Sequence, residues 1–329
     1  TSGIPIKLMN EGRSDDFKEC FAITHFFNPP RYLNLFEVVP GPDCKKGILD
    51  FLLDYGEKFL GKTSVLAKDT PAFIGNRIGI FGIMSLFHQI KNGEYSVEEV
   101  DKLTGPAIGR PKSATFRTAD IAGLDTMCHV ANGVYEKCKD DESREVFKLP
   151  DFLQKMLDNN MLGSKTGKGF YKKIKDDNGK SKILALDLNT FKYNEQKKVS
   201  YETLKNARKC KKRDEKFKTL ISGNDKASKF YEENFARMFG YIQNRIPEIS
   251  NDITSIDAAL KTGFGWKDGP FEIWNYIGVK EGVELMKKFD LKPAEWINEM
   301  IKKNTNNFYR INKGFREYYD INSNSFNKI

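Results

Sequence analysis

The chain has 329 residues, of which 39% are hydrophobic and 30% charged, and a formal net charge of +9. That length supports two or three domains with real cores; no apolar run is long enough to span a bilayer and no signal-peptide pattern opens the sequence, so a cytoplasmic protein is expected. Five scattered cysteines without a CxxC pair, and three histidines without HExxH spacing, argue against a disulfide framework, a zinc site or a catalytic metal.

Thr1 to about residue 68 reads as alternating β and α. An apolar β-type run from Cys20 to Thr24 leads into His25, and Asn28-Pro29-Pro30 follows at once. A second run, Leu33 to Val39, carries Glu37 among apolar neighbours. If the two runs pair, the carboxylate can reach the imidazole, fix its tautomer and stabilise its protonated form, which makes a better general base. Composition alone is equally content with a histidine that ends a strand and a solvated glutamate. A helix from about Asp43 to Leu60 and a short strand, Thr63 to Ala67, complete the stretch. Strands this short need further partners to bury both faces, which suggests the tail of a larger α/β domain. No GxGxxG turn, the device that holds a dinucleotide pyrophosphate, occurs anywhere in the sequence.

From Asp69 the pattern turns helical. Thr70-Pro71 predicts a helix start, and Phe73, Ile74, Ile78, Phe81, Met84, Phe87 and Ile90 form a strongly apolar helix ending at Asn92-Gly93. Ser96 and Glu99 have capping-box spacing. An internal repeat follows: Val100 to Gly109 and Phe116 to Gly123 recur as Ile256 to Gly265 and Phe271 to Gly278. Further on, Phe170-Tyr171 with Asn178-Gly179 is echoed by Phe308-Tyr309 with Lys313-Gly314, so each copy is expected to close with a β-hairpin. The stretch from Glu195 to Asn224 reads as a charged linker, and the second helical set starts near Ala227. Its cations, clustered between Lys197 and Lys218, fit a solvated helix face or a lysine-rich loop, and no nucleic-acid-binding motif accompanies them. Gly163-Ser164-Lys165-Thr166-Gly167-Lys168-Gly169 in copy one has only Asn304-Thr305-Asn306-Asn307 opposite it in copy two, which suggests site work for the loop in copy one alone.

Taken whole, HFFNPPRYLNLFEVVPG, KDTPAFIGNR, GPAIGRPKSATFRTADIAGLD and GSKTGKGFYKK resemble the 3-hydroxyacyl-CoA dehydrogenase family, in the long form with two tandem C-terminal helical domains that is often fused to enoyl-CoA hydratase. The resemblance implies a mainly α chain with a residual α/β part. Residues 1–68 would be the tail of a Rossmann-like NAD-binding domain, 69–194 a first helical domain, 195–224 the linker and 225–329 a second helical domain. It also implies NAD-dependent oxidation of (S)-3-hydroxyacyl-CoA to 3-ketoacyl-CoA in fatty-acid β-oxidation. His25 would be the base and Glu37 its orienting acid. Asn76 would contact substrate near the reacting oxygen, Ser2 would meet both substrate and nicotinamide, and Asn28 and Lys165 would touch the cofactor. Arg77 reads as structural, held in an ion pair.

In that family the glycine-rich turn precedes the residue matching Thr1. The sequence is therefore expected to be a C-terminal fragment that lacks the main NAD-binding loop and is inactive alone. An acyl-CoA thioester is the expected partner, with a hydratase domain fused downstream in one of the family's arrangements, and neither nucleic acid nor membrane is expected. Attraction of coenzyme A phosphates by the basic surface is a smaller expectation. Two other readings compete: a non-catalytic helical scaffold or dimerisation module derived from such an enzyme, and a Rossmann-type dehydrogenase for a different hydroxy acid.

Overall fold

The computed structural model describes residues 3–175 and 178–329. In chain order the elements are α1 (Ile6–Asn10), α2 (Asp15–Glu19), β1 (Ala22–Phe26), β2 (Leu35–Pro40), α3 (Lys46–Lys58), β3 (Thr63–Leu66), α4 (Gly75–Ile90), α5 (Val97–Thr104), α6 (Phe116–Ala122), α7 (Leu124–Lys137) and α8 (Asp151–Asp158). Then come β4 (Tyr171–Lys175), β5 (Ser181–Leu186), β6 (Tyr193–Glu195), α9 (Glu202–Lys209), α10 (Arg213–Ile221), α11 (Lys226–Gln243), α12 (Ile253–Gly263), α13 (Pro270–Ile277), α14 (Val279–Lys287), α15 (Glu295–Lys302), β7 (Tyr309–Asn312), β8 (Phe315–Asp320) and β9 (Ser325–Lys328). The described residues are thus mainly helical with small three-stranded sheets. They divide into two compact units, one holding the residues up to Gly79 together with Phe235–Ile329, the other Ile80–Asn234.

In the first unit, β2 is the middle strand, antiparallel to β1 and parallel to β3. Leu35, Phe36, Val38 and Val39 are all buried, as expected of a strand covered on both faces. α12 lies against β2 and β3, and the contact is pinned by main-chain bonds: Asn34 N–H donates to Thr262 O at 3.1 Å and Lys68 N–H to Ile249 O at 3.2 Å. α3 begins at Lys46, later than the sequence suggests. Of its aromatic positions, Phe51, Tyr55 and Phe59 stay largely exposed and stack on one another.

The apolar helix does not start at Thr70-Pro71. Ala72 and Phe73 have φ of 67° and 50°, a left-handed kink that no helix tolerates, so α4 starts only at Gly75. Gly75 itself is dictated by packing, since a Cβ there would lie 2.6 Å from the Phe27 ring. Arg77, fully buried, donates from Nε to Tyr241 Oη at 2.7 Å and from Nη2 to Glu248 Oε1 at 2.9 Å, the ion pair expected of it.

The second unit opens its bundle with α5, whose capping box forms as spelled. Glu99 N–H donates to Ser96 Oγ, and Ser96 N–H donates to Glu99 Oε2; such a cap is worth about 1 kcal/mol. Phe87, Phe116, Phe152 and Phe170 stack into its core. Both expected hairpins form, β4–β5 and β7–β8, and each gains a third strand that the sequence reading did not anticipate. The stretch read as a linker holds two helices, α9 and α10. Leu204 with Ala207, and Phe217 with Leu220, sit three residues apart and bury one face of each, while the surrounding lysines stay outside.

Candidate active site

The site is built by strand register. β1 and β2 pair so that His25 stands directly opposite Glu37, and side chains opposite each other on antiparallel strands share a face. The His25 Nδ1 and Glu37 Oε2 are 2.6 Å apart. Glu37 is fully buried, and its other oxygen accepts the Ile74 N–H at 3.0 Å and the Gly75 N–H at 2.9 Å. The kinked approach to α4 therefore points its otherwise orphaned amides at one carboxylate, where the helix dipole also favours negative charge. With both Glu37 oxygens accepting, Nδ1 of His25 is the donor and Nε2 is left unprotonated in the neutral ring.

Nε2 makes no hydrogen bond among the described residues. The imidazole is only 16% exposed, with Phe27 edge-on at 5.1 Å and Phe73 at 5.5 Å. The result is a histidine oriented from behind by an acid, walled by aromatic rings and open at one nitrogen, the arrangement a general base requires.

Asn76 follows Gly75 directly, one residue beyond an amide bonded to Glu37. Its side chain is half-buried and makes no hydrogen bond among the described residues, so it has an amide to offer. Asn28, three residues past His25, is exposed at a cis Asn28-Pro29 bond. Lys62 Nζ ties this loop down by donating to the carbonyls of Pro30 and Leu33. Ser2 lies outside the described residues.

Lys165 belongs to the other compact unit. It stands in a single turn ending at Gly167, and its ammonium is engaged by both carboxylate oxygens of Asp125. That contact holds the Asp125 carboxyl below its ordinary range. The structure thus gives Lys165 a partner within its own chain, where the sequence reading had it touching the cofactor. Sequence reasoning also missed the amides of Ile74 and Gly75 and the ring of Phe73. The signal was present in Phe73-Ile74-Gly75-Asn76, but a left-handed phenylalanine is not visible in a string of letters.

For NAD, the same residues offer only part of a site. The open Nε2 and the free Asn76 amide suit the reacting end of a hydroxyacyl substrate and a nicotinamide beside it. The amides at the start of α4 are already spent on Glu37, and the sequence has no GxGxxG turn, so no pyrophosphate cradle is visible among the described residues. Among the described residues no His, Cys, Asp and Glu side chains gather into a metal site, and no helix is long and apolar enough to cross a membrane.

Comparison with known proteins bears on the same stretches. The family model for the 3-hydroxyacyl-CoA dehydrogenase NAD binding domain matches residues 1–70, and that for the C-terminal domain of the same family matches 73–173. The first match assigns the β1–β3 region to an NAD-binding domain and lends no support to the expectation that the main binding loop is missing. A probable 3-hydroxyacyl-CoA dehydrogenase of Bacillus subtilis is 46% identical over 97% of this chain and 40% of its own length. One from Deinococcus radiodurans is 44% identical over 56% of this chain and 52% of its own length, so the chain spans about half the length of the curated relatives it matches. A crystal structure of 3-hydroxybutyryl-CoA dehydrogenase from Escherichia coli K12 superposes with a TM-score of 0.66 at 16% identity, covering 92% of this chain and 74% of that one, which shows a shared fold. With two domain models matching in series and near-half identity along almost all its residues, the chain belongs to the 3-hydroxyacyl-CoA dehydrogenase family.

Proposed function

We propose that this chain carries the proton-handling half of an NAD-dependent 3-hydroxyacyl-CoA dehydrogenase, oxidising (S)-3-hydroxyacyl-CoA to 3-ketoacyl-CoA in fatty-acid β-oxidation. The observation that carries the reading is the His25–Glu37 pair, locked by register and by two helix-start amides, with Nε2 open. His25 Nε2 takes the hydroxyl proton as the C–O bond gains double-bond character. Glu37 holds the ring and balances the imidazolium charge, an interaction stronger in the charged transition state than before it. The Asn76 amide hydrogen-bonds the reacting oxygen. Bound NAD+ supplies the hydride acceptor.

The test is acetoacetyl-CoA reduction by NADH in the protein as encoded in its source, wild type against His25→Gln. The variant is expected to lose about 10²- to 10⁴-fold in kcat with little change in KM. Undiminished turnover in His25→Gln removes the assigned base, and a wild type that ignores acyl-CoA while oxidising a hydroxy sugar acid removes the reading altogether.

A further inference from the structure

Cys20 and Cys44 are far apart in the sequence, and the fold of the first unit brings them to one place. Cys20 caps the end of α2, its N–H donating to Asp16 O and Phe17 O, and the chain runs from it into β1. Cys44 stands in the turn between β2 and α3, its N–H donating to Gly41 O at 3.1 Å. Main-chain bonds bracket the pair. On one side Lys45 N–H donates to Glu19 O at 2.8 Å. On the other, Gly41 N–H donates to Phe21 O at 3.4 Å, next to the Ala22–Pro40 pairing at the open end of the β1–β2 hairpin. An ion pair between Lys45 and Glu19 at 2.5 Å closes the same seam.

The Lys45–Glu19 main-chain bond bounds the distance between the cysteines. Cys20 follows the acceptor residue and Cys44 precedes the donor, so the Cα atoms are separated by one hydrogen bond and part of a peptide unit on either side, at most about 8 Å. A disulfide spans about 4.4–6.8 Å between Cα atoms, so the pair stands within a small backbone adjustment of bonding range. The sulfurs also sense each other. Burial, and after it the Cys20 sulfur, holds the Cys44 thiol above its ordinary value. Cys20 is exposed and Cys44 half-buried, whereas Cys128 in the other unit is buried and its thiol is pushed up to about 12, which makes it inert. Two sulfurs alone do not make a metal site, since a structural zinc takes four ligands and no three His, Cys, Asp or Glu side chains gather among the described residues.

We propose that Cys20 and Cys44 form a reversible dithiol–disulfide site, oxidised by a hydroperoxide and reduced by a dithiol. With hydrogen peroxide, the exposed Cys20 thiolate takes one oxygen as the O–O bond breaks, and the other oxygen leaves as water once protonated. The Cys44 thiolate then attacks the Cys20 sulfenic sulfur, the S–S bond forms, and the hydroxyl leaves as a second water. Two thiols thus give up two electrons and two protons, and the peroxide takes up both. A dithiol reverses the change by two thiolate exchanges and becomes a disulfide itself. The new bond closes a loop that holds the whole β1–β2 hairpin, and closes it at the end opposite Asn28-Pro29. It therefore staples the strand alignment that sets His25 against Glu37.

The test is treatment of the folded 329-residue chain with hydrogen peroxide, then alkylation of the remaining thiols and tryptic mapping without reduction. Cleavage at Arg31 puts the two cysteines on separate peptides. These are expected to appear joined, two hydrogens lighter than their sum, in at least about tenfold excess over any other linked pair, and dithiothreitol should part them. The thermal midpoint of the oxidised chain should stand about 5 °C above that of the reduced chain. Cys44→Ser should show no such rise and should leave Cys20 as a sulfenic acid that dimedone traps, while Cys20→Ser should leave Cys44 a free thiol. Cys210→Ser, in the other unit, should behave as the wild type does. A Cys20–Cys44 link no more frequent than other pairings, a folded wild type whose Cys20 ends only as an oxygen acid, or an equal rise in the midpoint of Cys44→Ser would each overturn the proposal. A link that forms without raising the midpoint would overturn the staple.

Discussion

The two copies of the repeat solve the same folding problem with one exchange of chemistry. In copy one, Asp101 gathers the N–H groups of Thr115, Phe116 and Arg117, the start of α6, and the hydroxyl of Tyr171 from the hairpin. In copy two, Asp257 gathers the N–H groups of Phe271 and Glu272, the start of α13, and the hydroxyl of Tyr309. Gly123 and Gly278, with φ of 93° and 111°, make the same left-handed break before the next helix. The second knot differs. Asp120 accepts the N–H groups of Phe170 and Tyr171, whereas its counterpart Asn275 accepts those of Phe308 and Tyr309 with an amide oxygen. A Cβ on Gly169 would lie 2.1 Å from Asp120 Oδ1, and one on Gly163 2.3 Å from the Asp120 carbonyl. The glycine-rich loop of copy one therefore has a local task, closing tightly over a buried carboxylate, and copy two keeps no such loop over its Asn275.

The largest expected effect separates the copies as folding units. Asp101→Ala strands three amides and a phenol, a loss of about 3–5 kcal/mol, and hydrogen exchange should accelerate across 80–234; Asp257→Ala should do the same across 235–329 and the residues up to 79 that share its unit. Equal acceleration everywhere in either variant would show that the copies do not hold separately. Next comes the loop. Gly169→Ala should cost about 2–3 kcal/mol through overpacking against Asp120, while Asn307→Ala, at the matching position of copy two, should stay within about 0.5 kcal/mol. Urea midpoints compare the two, and indifference to Gly169→Ala would leave the loop's glycines unexplained.

The exchange of Asp120 for Asn275 predicts a difference in pH response. Burial pushes the Asp120 carboxyl up to about 6. The folded state thus holds its proton where the unfolded chain has lost it, and stability contributed at low pH is lost as pH rises through that range. Asp120→Asn should flatten that part of the decline, by about 2 kcal/mol between pH 4 and 7; the slope that remains belongs in part to Asp101, also raised to about 6 by burial. An unchanged urea-midpoint profile in Asp120→Asn would remove Asp120 as its source. The smallest effect belongs to Lys165. Its pair with Asp125 is nearly half-exposed, so Lys165→Ala should shift stability by no more than about 0.5 kcal/mol; a larger loss on thermal melting would mean that the loop leans on the ion pair as well as on Asp120.

What could be read from the sequence was local or periodic. The Ser96 cap, the hairpin turns, the repeat and the spacing that lets Glu37 meet His25 all follow from short-range rules. Hidden were features whose cause lies far along the chain. The Arg77 guanidinium finds Tyr241 and Glu248, and the left-handed turn at Ala72 and Phe73 brings two amides to Glu37. The helices α9 and α10 were obscured for another reason: each buries only a narrow apolar stripe, and the lysines around it dominate the composition of the stretch. Nor could the sequence show that the Lys165 ammonium meets the Asp125 carboxylate forty residues earlier.

The distance between His25 and Glu37 is a main-chain quantity. β2 is fixed on both sides, with Glu37 opposite His25 on β1 and beside Val65 on β3. Sliding β1 by one residue turns its side chains to the other face, and sliding it by two parts the pair by about 6.8 Å, whatever the rotamers do. Residues between Phe27 and Asn34 can bulge outward without touching the pair, provided the two strands keep their alignment. The histidine ring thereby becomes a gauge of sheet alignment: its proton resonance should move when the strands slip, before any helix signal is lost.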